Sequence, residues 1–114
     1  MVFMSEMDLS YLEEISGGDA EFIQDMIETF LEETPKDLNE MKVKCHDKNW
    51  VEVGKLAHKL KSSIKMFGFE SLKNAAVQLE KDGKDLSAVD SIPGKLDSFY
   101  ALADLAMVEL RAKI

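Results

Sequence analysis

Apolar residues recur at helical spacing along most of the chain, and no segment alternates convincingly at period two. A short helix is expected from Leu9 to Ile15, with Asp8 as its cap and Gly17-Gly18 as its stop. Asp19 caps a second helix, whose apolar positions Phe22, Ile23, Met26, Ile27, Phe30, Leu31, Leu38 and Met41 share one period. The stripe resumes in register after Pro35, which predicts a kinked continuation to about Cys45 rather than a break. Asn49 and Glu52 have capping-box spacing, and the helix they open runs to about Phe67, with Gly68 suited to the left-handed residue beyond its end. A further helix covers about Glu70 to Asp82, with Leu72, Ala75, Ala76 and Leu79 inward and Gly83 as its stop. Residues 84–90 read as a polar connection. The last helix begins near Ser91 to Pro93 and carries Leu96, Phe99, Tyr100, Ala103 and Met107 on its inner face. The expectation is an all-α, antiparallel helical bundle with short loops: a four-helix core plus a short N-terminal helix.

Composition agrees with this and narrows the chemistry. The 114 residues fit one domain of ordinary size, and 46% are apolar, enough for one real core. Cys45 is the only cysteine, so the chain forms no internal disulfide and no thiolate cluster for zinc, which suggests a reducing, cytoplasmic setting. The opening MVFMSEMDLS does not read as a signal peptide, and no apolar run approaches a bilayer span. No membrane partner is expected, therefore. A net charge of −8 argues against nucleic acid as a partner.

The charge is unevenly spread. Residues 54–73 hold five lysines and one acid, a local balance of +4, against −12 for the remainder. A basic island on an acidic chain suits a small anionic ligand or an acidic patch on a partner; its plainer reading is a solvated helix face. His58 lies inside the island. On a wheel of about 100° per residue with Val53 at zero, Leu56, Ala57, Leu60, Ile64 and Phe67 fall within about 60°. His58 lies about 140° away, Lys65 about 120°, Ser62 about 180° and Lys61 about 80°. Lys61 and Ser62 are the neighbours of His58 one turn on, and Gly54 and Lys55 one turn back. Taken alone, a histidine on a lysine-rich helix is an ordinary surface residue. Its setting nevertheless suits phosphoryl chemistry. Nearby lysines should disfavour the imidazolium and keep the ring nucleophilic, and they would stabilise an incoming phosphate.

The stretch His58-Lys59-Leu60-Lys61-Ser62-Ser63, followed by Gly68, resembles the HxLKGS(x)nG signature of histidine-containing phosphotransfer (HPt) domains. DLSYLEEISGGDAEFIQDMIETFLEETP is similar to the usual start of such domains, and LKNAAVQLE to the helix after the phosphorylated one. The motif-bearing part covers about residues 8–82, the C-terminal packing helix about 92–113, and the whole of 1–114 is read as a single HPt domain. The resemblance implies that His58 accepts a phosphoryl group from an aspartyl phosphate on a receiver domain and passes it to another receiver. The partners would be receivers of a hybrid sensor kinase or a response regulator. It implies that Lys61 neutralises the phosphate and that Gly68 lets the helices approach near the site. Ser62 departs from the usual Gly, though its hydroxyl can hydrogen-bond phosphate. Lys55 and Lys65 are added from the wheel alone. A polar residue of the following helix often borders the site in this family, and Gln78 and Glu80 are both candidates.

Other chemistry is poorly supported. His46 beside Cys45 lacks further zinc ligands and reads as a surface residue. There is no calcium loop and no Gly-rich phosphate loop. The expected protein is thus a monomeric phosphoryl carrier, not an enzyme, with no cofactor or metal of its own. Any Mg²⁺ would belong to the receiver. Met66 and Val77 fall outside their core stripes, and burial is favoured for both over a docking role. The rival is a helical adaptor of the same fold, never phosphorylated, that holds an acidic partner through its lysines.

Overall fold

The computed structural model describes residues 6–114, so the part of the N-terminal reading that concerns residues 1–5 lies outside the described residues. Five α-helices follow one another: α1 Ser10–Ser16, α2 Ala20–His46, α3 Trp50–Lys65, α4 Glu70–Asp85 and α5 Ile92–Arg111. A short 3-10 turn, Val89–Ser91, leads into α5. The described residues contain no strand. The architecture is the expected all-α bundle. Helices α2 to α5 form a closed ring of neighbours, with α1 lying against α2.

The sequence shows why the helices start and stop where they do. The Asp19 carboxylate accepts the N–H groups of Glu21 and Phe22, and the Asn49 side-chain oxygen Oδ1 accepts that of Glu52. Gly17, at φ 67°, closes α1 in the left-handed conformation. Asp8 binds the N–H and hydroxyl of Ser10, so it holds the start of α1 from just outside. Helix α2 runs through Pro35 without interruption, as the in-register stripe predicted. Its 27 residues, at about 1.5 Å each, span about 40 Å and account for the 43 Å long dimension of the molecule.

The core is one contiguous cluster. It includes Ile27, Phe30, Leu38 and Met41 of α2, Val53, Leu60 and Ile64 of α3, Leu72 and Leu79 of α4, and Leu96, Phe99 and Leu110 of α5. Phe30 and Phe67 meet edge to face at 5.0 Å between centroids. One expected burial, that of Val77, needs correction, and one residue of the α2 stripe is partly exposed. Phe22 is 36% exposed, because it lies in the first turn of α2, ahead of the buried positions that begin at Ile27. Val77 is 44% exposed, whereas Met66 does pack against the core.

The largest correction concerns Gly83. It does not end α4: the helix continues to Asp85, and Leu86 takes the left-handed cap at φ 51°. Gly83 is buried against α3 instead. A Cβ built on it would lie 2.5 Å from the Trp50 carbonyl oxygen and 2.9 Å from the Gly54 Cα. A Cβ on Gly54 would lie 3.1 Å from the Glu80 carbonyl oxygen. The two glycines therefore form the close approach of α3 and α4. Gly68 takes the left-handed conformation expected of the residue beyond the end of α3. At φ +77° it turns the chain between the helices, and a Cβ there would meet Asp8 at 2.6 Å.

Across the bundle, Asp82 is buried on α4 and is held by Lys95 of α5 and by Gln78, whose side-chain amide donates at 2.9 Å. This pair ties α4 to α5 just beside the glycine contact.

Gly83→Ala should destabilise the fold by about 1–3 kcal/mol, because backbone rather than a flexible side chain blocks the new methyl. Gly94→Ala is the internal comparison. Nothing lies within 4 Å of its added Cβ, so it should gain about 0.5–1 kcal/mol from reduced backbone freedom. Thermal or urea unfolding of both variants measures the difference.

Candidate functional site

His58 lies on α3, four residues after Gly54, and its side chain is 62% exposed. Glu80 lies on α4, three residues before Gly83. In an antiparallel pair, C-terminal on one helix and N-terminal on the other are the same direction along the axis. The glycine contact therefore brings His58 and Glu80 together one turn away. The His58 Nδ1 and Glu80 Oε1 atoms are 2.8 Å apart. The Lys61 ammonium donates to Glu80 Oε2 at 2.9 Å. One carboxylate thus engages both side chains, one through each oxygen.

These contacts set the protonation pattern. The Lys61 ammonium, and after it the hydrogen bond with His58, holds the Glu80 carboxyl below its ordinary value of 4.5. An ionised carboxylate can only accept, so the 2.8 Å contact requires a proton on Nδ1. In the neutral ring the lone pair then belongs to Nε2. The lysine surround expected for the ring is thereby corrected: the charged group in hydrogen-bond contact with it is a carboxylate.

An open groove of about 360 Å³ borders the ring, lined by Val51, Gly54, Lys55, His58, Glu80 and Lys84. Of the two α4 candidates, Glu80 is in the groove. Gln78 turns to Asp82 and does not line it. Lys55 does line it, and its ammonium is 3.3 Å from Glu52 on its own helix. Ser62 and Lys65 border a different hollow, with Tyr11 and Met66. The Ser62 hydroxyl makes a long 3.5 Å contact with the His58 carbonyl.

The basic island is largely neutralised from within. Lys55 pairs with Glu52, Lys59 with Asp37, Lys61 with Glu80 and Lys73 with Glu70, which leaves Lys65 alone of the five without a partner among the described residues. The Lys59 ammonium is held above its ordinary value, first by its hydrogen bond to the buried Asp37. A local count of +4 along the chain overstates the positive surface that a partner would meet.

Sequence reasoning missed two features of this site. Reading Gly83 as a helix stop places Lys84 in a loop, whereas α4 carries it. Gly83 itself is the contact that aligns α4 with α3. The LEKDGKD run carries the signal: continuing the α4 period beyond Gly83 places Lys84 four residues after Glu80, on the same face. Among the described residues no cluster of His, Cys, Asp or Glu is able to hold a metal ion, and no helix is long and apolar enough to cross a membrane. His46 is exposed.

The family model for the Hpt domain matches residues 25–111 of the 114. Comparison with curated proteins and with solved structures gives no match.

The Glu80 carboxyl, with its pKa lowered in the fold, adds stability above 4.5 that is lost as pH falls through its folded value. Glu80→Gln should remove this part, so its melting temperature should fall less steeply than that of the native chain below about pH 4.5. Parallel melts between neutral pH and about pH 3 check this; identical slopes would dismiss the linkage.

Proposed function

The chain belongs to the Hpt domain family, and on that footing we propose that it relays a phosphoryl group between aspartates of receiver domains through a phosphohistidine at His58. Hpt domains are phosphocarrier modules of two-component signalling and interact with receiver domains. The observation that carries the assignment to His58 is the 2.8 Å contact between Nδ1 and Glu80. It selects the tautomer with a nucleophilic Nε2 on an exposed ring.

The transfer balances simply. The Nε2 lone pair attacks the phosphorus of an aspartyl phosphate. The N–P bond forms as the P–O bond to the aspartate breaks, and the electron pair leaves on the aspartate carboxylate. The ring becomes a phosphoryl-imidazolium with its proton still on Nδ1. Glu80 accepts that proton's hydrogen bond throughout and faces the positive charge that develops on the ring. The reverse sequence delivers the group to a second receiver. Phosphoryl transfer needs positioning and charge compensation more than proton shuttling, and the groove offers both.

The adaptor reading has less support, because the island's lysines are mostly occupied by carboxylates of this chain.

The native chain, mixed with a receiver charged by a small phosphodonor, should acquire acid-labile, alkali-stable label, and His58→Gln should acquire none. Label persisting in His58→Gln would remove the assignment. Glu80→Ala removes a charge-assisted hydrogen bond of about 1.5–3 kcal/mol and should slow transfer about 10- to 100-fold without abolishing it.

A further inference from the structure

Lys84 stands apart from the other cations near His58. It is exposed, lines the His58 groove, and has no hydrogen-bond or ion-pair partner among the described residues. It sits four residues after Glu80, one helical turn along the same face. It holds that position because α4 continues through Gly83, whose backbone packs on Gly54. Lys61 is placed differently. Its ammonium is bound to Glu80 Oε2 at 2.9 Å, its side chain is only 28% exposed, and it does not line the groove. To meet a phosphoryl group on Nε2 it would have to leave the carboxylate that orients the ring. Lys84 can meet the same group without breaking any contact.

We propose that Lys84 is the cation that binds the phosphoryl group of phospho-His58, and that Lys61 is a positioning residue acting on the ring through Glu80. The proposal rests on the reading of His58 as the carrier. It divides the charge of the phosphorylated state in two. When the N–P bond forms, the phosphoryl oxygens enter a groove that already contains the Glu80 carboxylate, and Lys84 offsets their repulsion. The positive ring is balanced by Glu80, which Lys61 holds in place.

Phosphoramidate serves as the donor, since it needs no receiver and so separates phosphate binding from docking. The native chain, Lys84→Ala, Lys84→Arg, Lys61→Ala and His58→Gln are compared by ³¹P NMR across pH, and by the ¹⁵N shifts of the unphosphorylated His58 ring. An exposed ion pair is weak, so Lys84→Ala should raise the midpoint of the phosphoryl titration by roughly half a pH unit. Lys84→Arg should restore most of the native midpoint, and neither Lys84 variant should alter the ring's ¹⁵N shifts. Lys61→Ala should show the opposite pattern: altered ring shifts and a phosphoryl midpoint near native. The proposal is overturned if phospho-His58 forms and its midpoint moves with Lys61→Ala but not with Lys84→Ala; the carrier reading then survives. A native chain with no His58-dependent phosphorus signal from either phosphoramidate or charged receivers overturns both. Melting curves of the two alanine variants report their folding, and Lys84→Ala should melt like the native chain.

Discussion

The contact between Gly54 and Gly83 is the constraint on which the site depends. Two helices approach here with no side chain between them, close enough that a Cβ on Gly83 would strike the Trp50 carbonyl. Such a contact fixes both the separation and the register of an antiparallel pair. Once residue 54 faces residue 83, residue 58 must face the neighbourhood of residue 80. The histidine–carboxylate pair is thus a consequence of backbone packing one turn away. Its geometry is set where two helix backbones pack directly on each other, whereas loop-borne residues would be held less firmly. The buried Asp82, held by Lys95, secures the same stretch of α4 from its other side.

Charge is organised around Glu80 in the same local way. The carboxylate serves one lysine and one imidazole, and the lysine keeps it ionised when the imidazole is neutral. Elsewhere on α3, carboxylates from its own first turn and from α2 take up Lys55 and Lys59. The exposed Lys55–Glu52 pair adds little stability, about 0–1 kcal/mol. Such pairs decide which cations around His58 remain available: Lys84 in the groove and Lys65 at its separate hollow have no ion-pair partner among the described residues.

Much of this was legible in the chain, and the failures have a common cause. Helix number, order and most of the core follow from apolar period and from caps such as Asp19 and Asn49, because these signals are local. The exposed side of α3 that carries His58 also follows from period alone. What period cannot supply is the pairing between helices. Gly83 looks like a helix stop when α4 is read alone; only the presence of α3 makes it a contact residue. Gln78 and Glu80 could not be separated for the same reason, since the choice depends on the rotation of α4 against α3. The lysine island misled because a count along the chain ignores carboxylates from α2 and α4, such as Asp37 and Glu80. Lys84 joins the groove only because α4 continues through Gly83.

The strength of the groove also bears on what it does. A carrier has to release what it accepts, so the charges around the transferred group must compensate it without trapping it. At an effective dielectric near that of water, a cation at about 4 Å contributes about 1 kcal/mol, whereas burial would raise this several-fold. The His58 ring is 62% exposed and Lys84 is exposed, so on the proposed reading phosphate binding would stay in the weak range. The firm interaction is reserved for the ring, through the partly buried Glu80 and Lys61, at 26% and 28% exposure. On the carrier reading this division matters: the tautomer is held tightly because it must be right in both directions of transfer. The phosphoryl group is held loosely because neither direction should dominate.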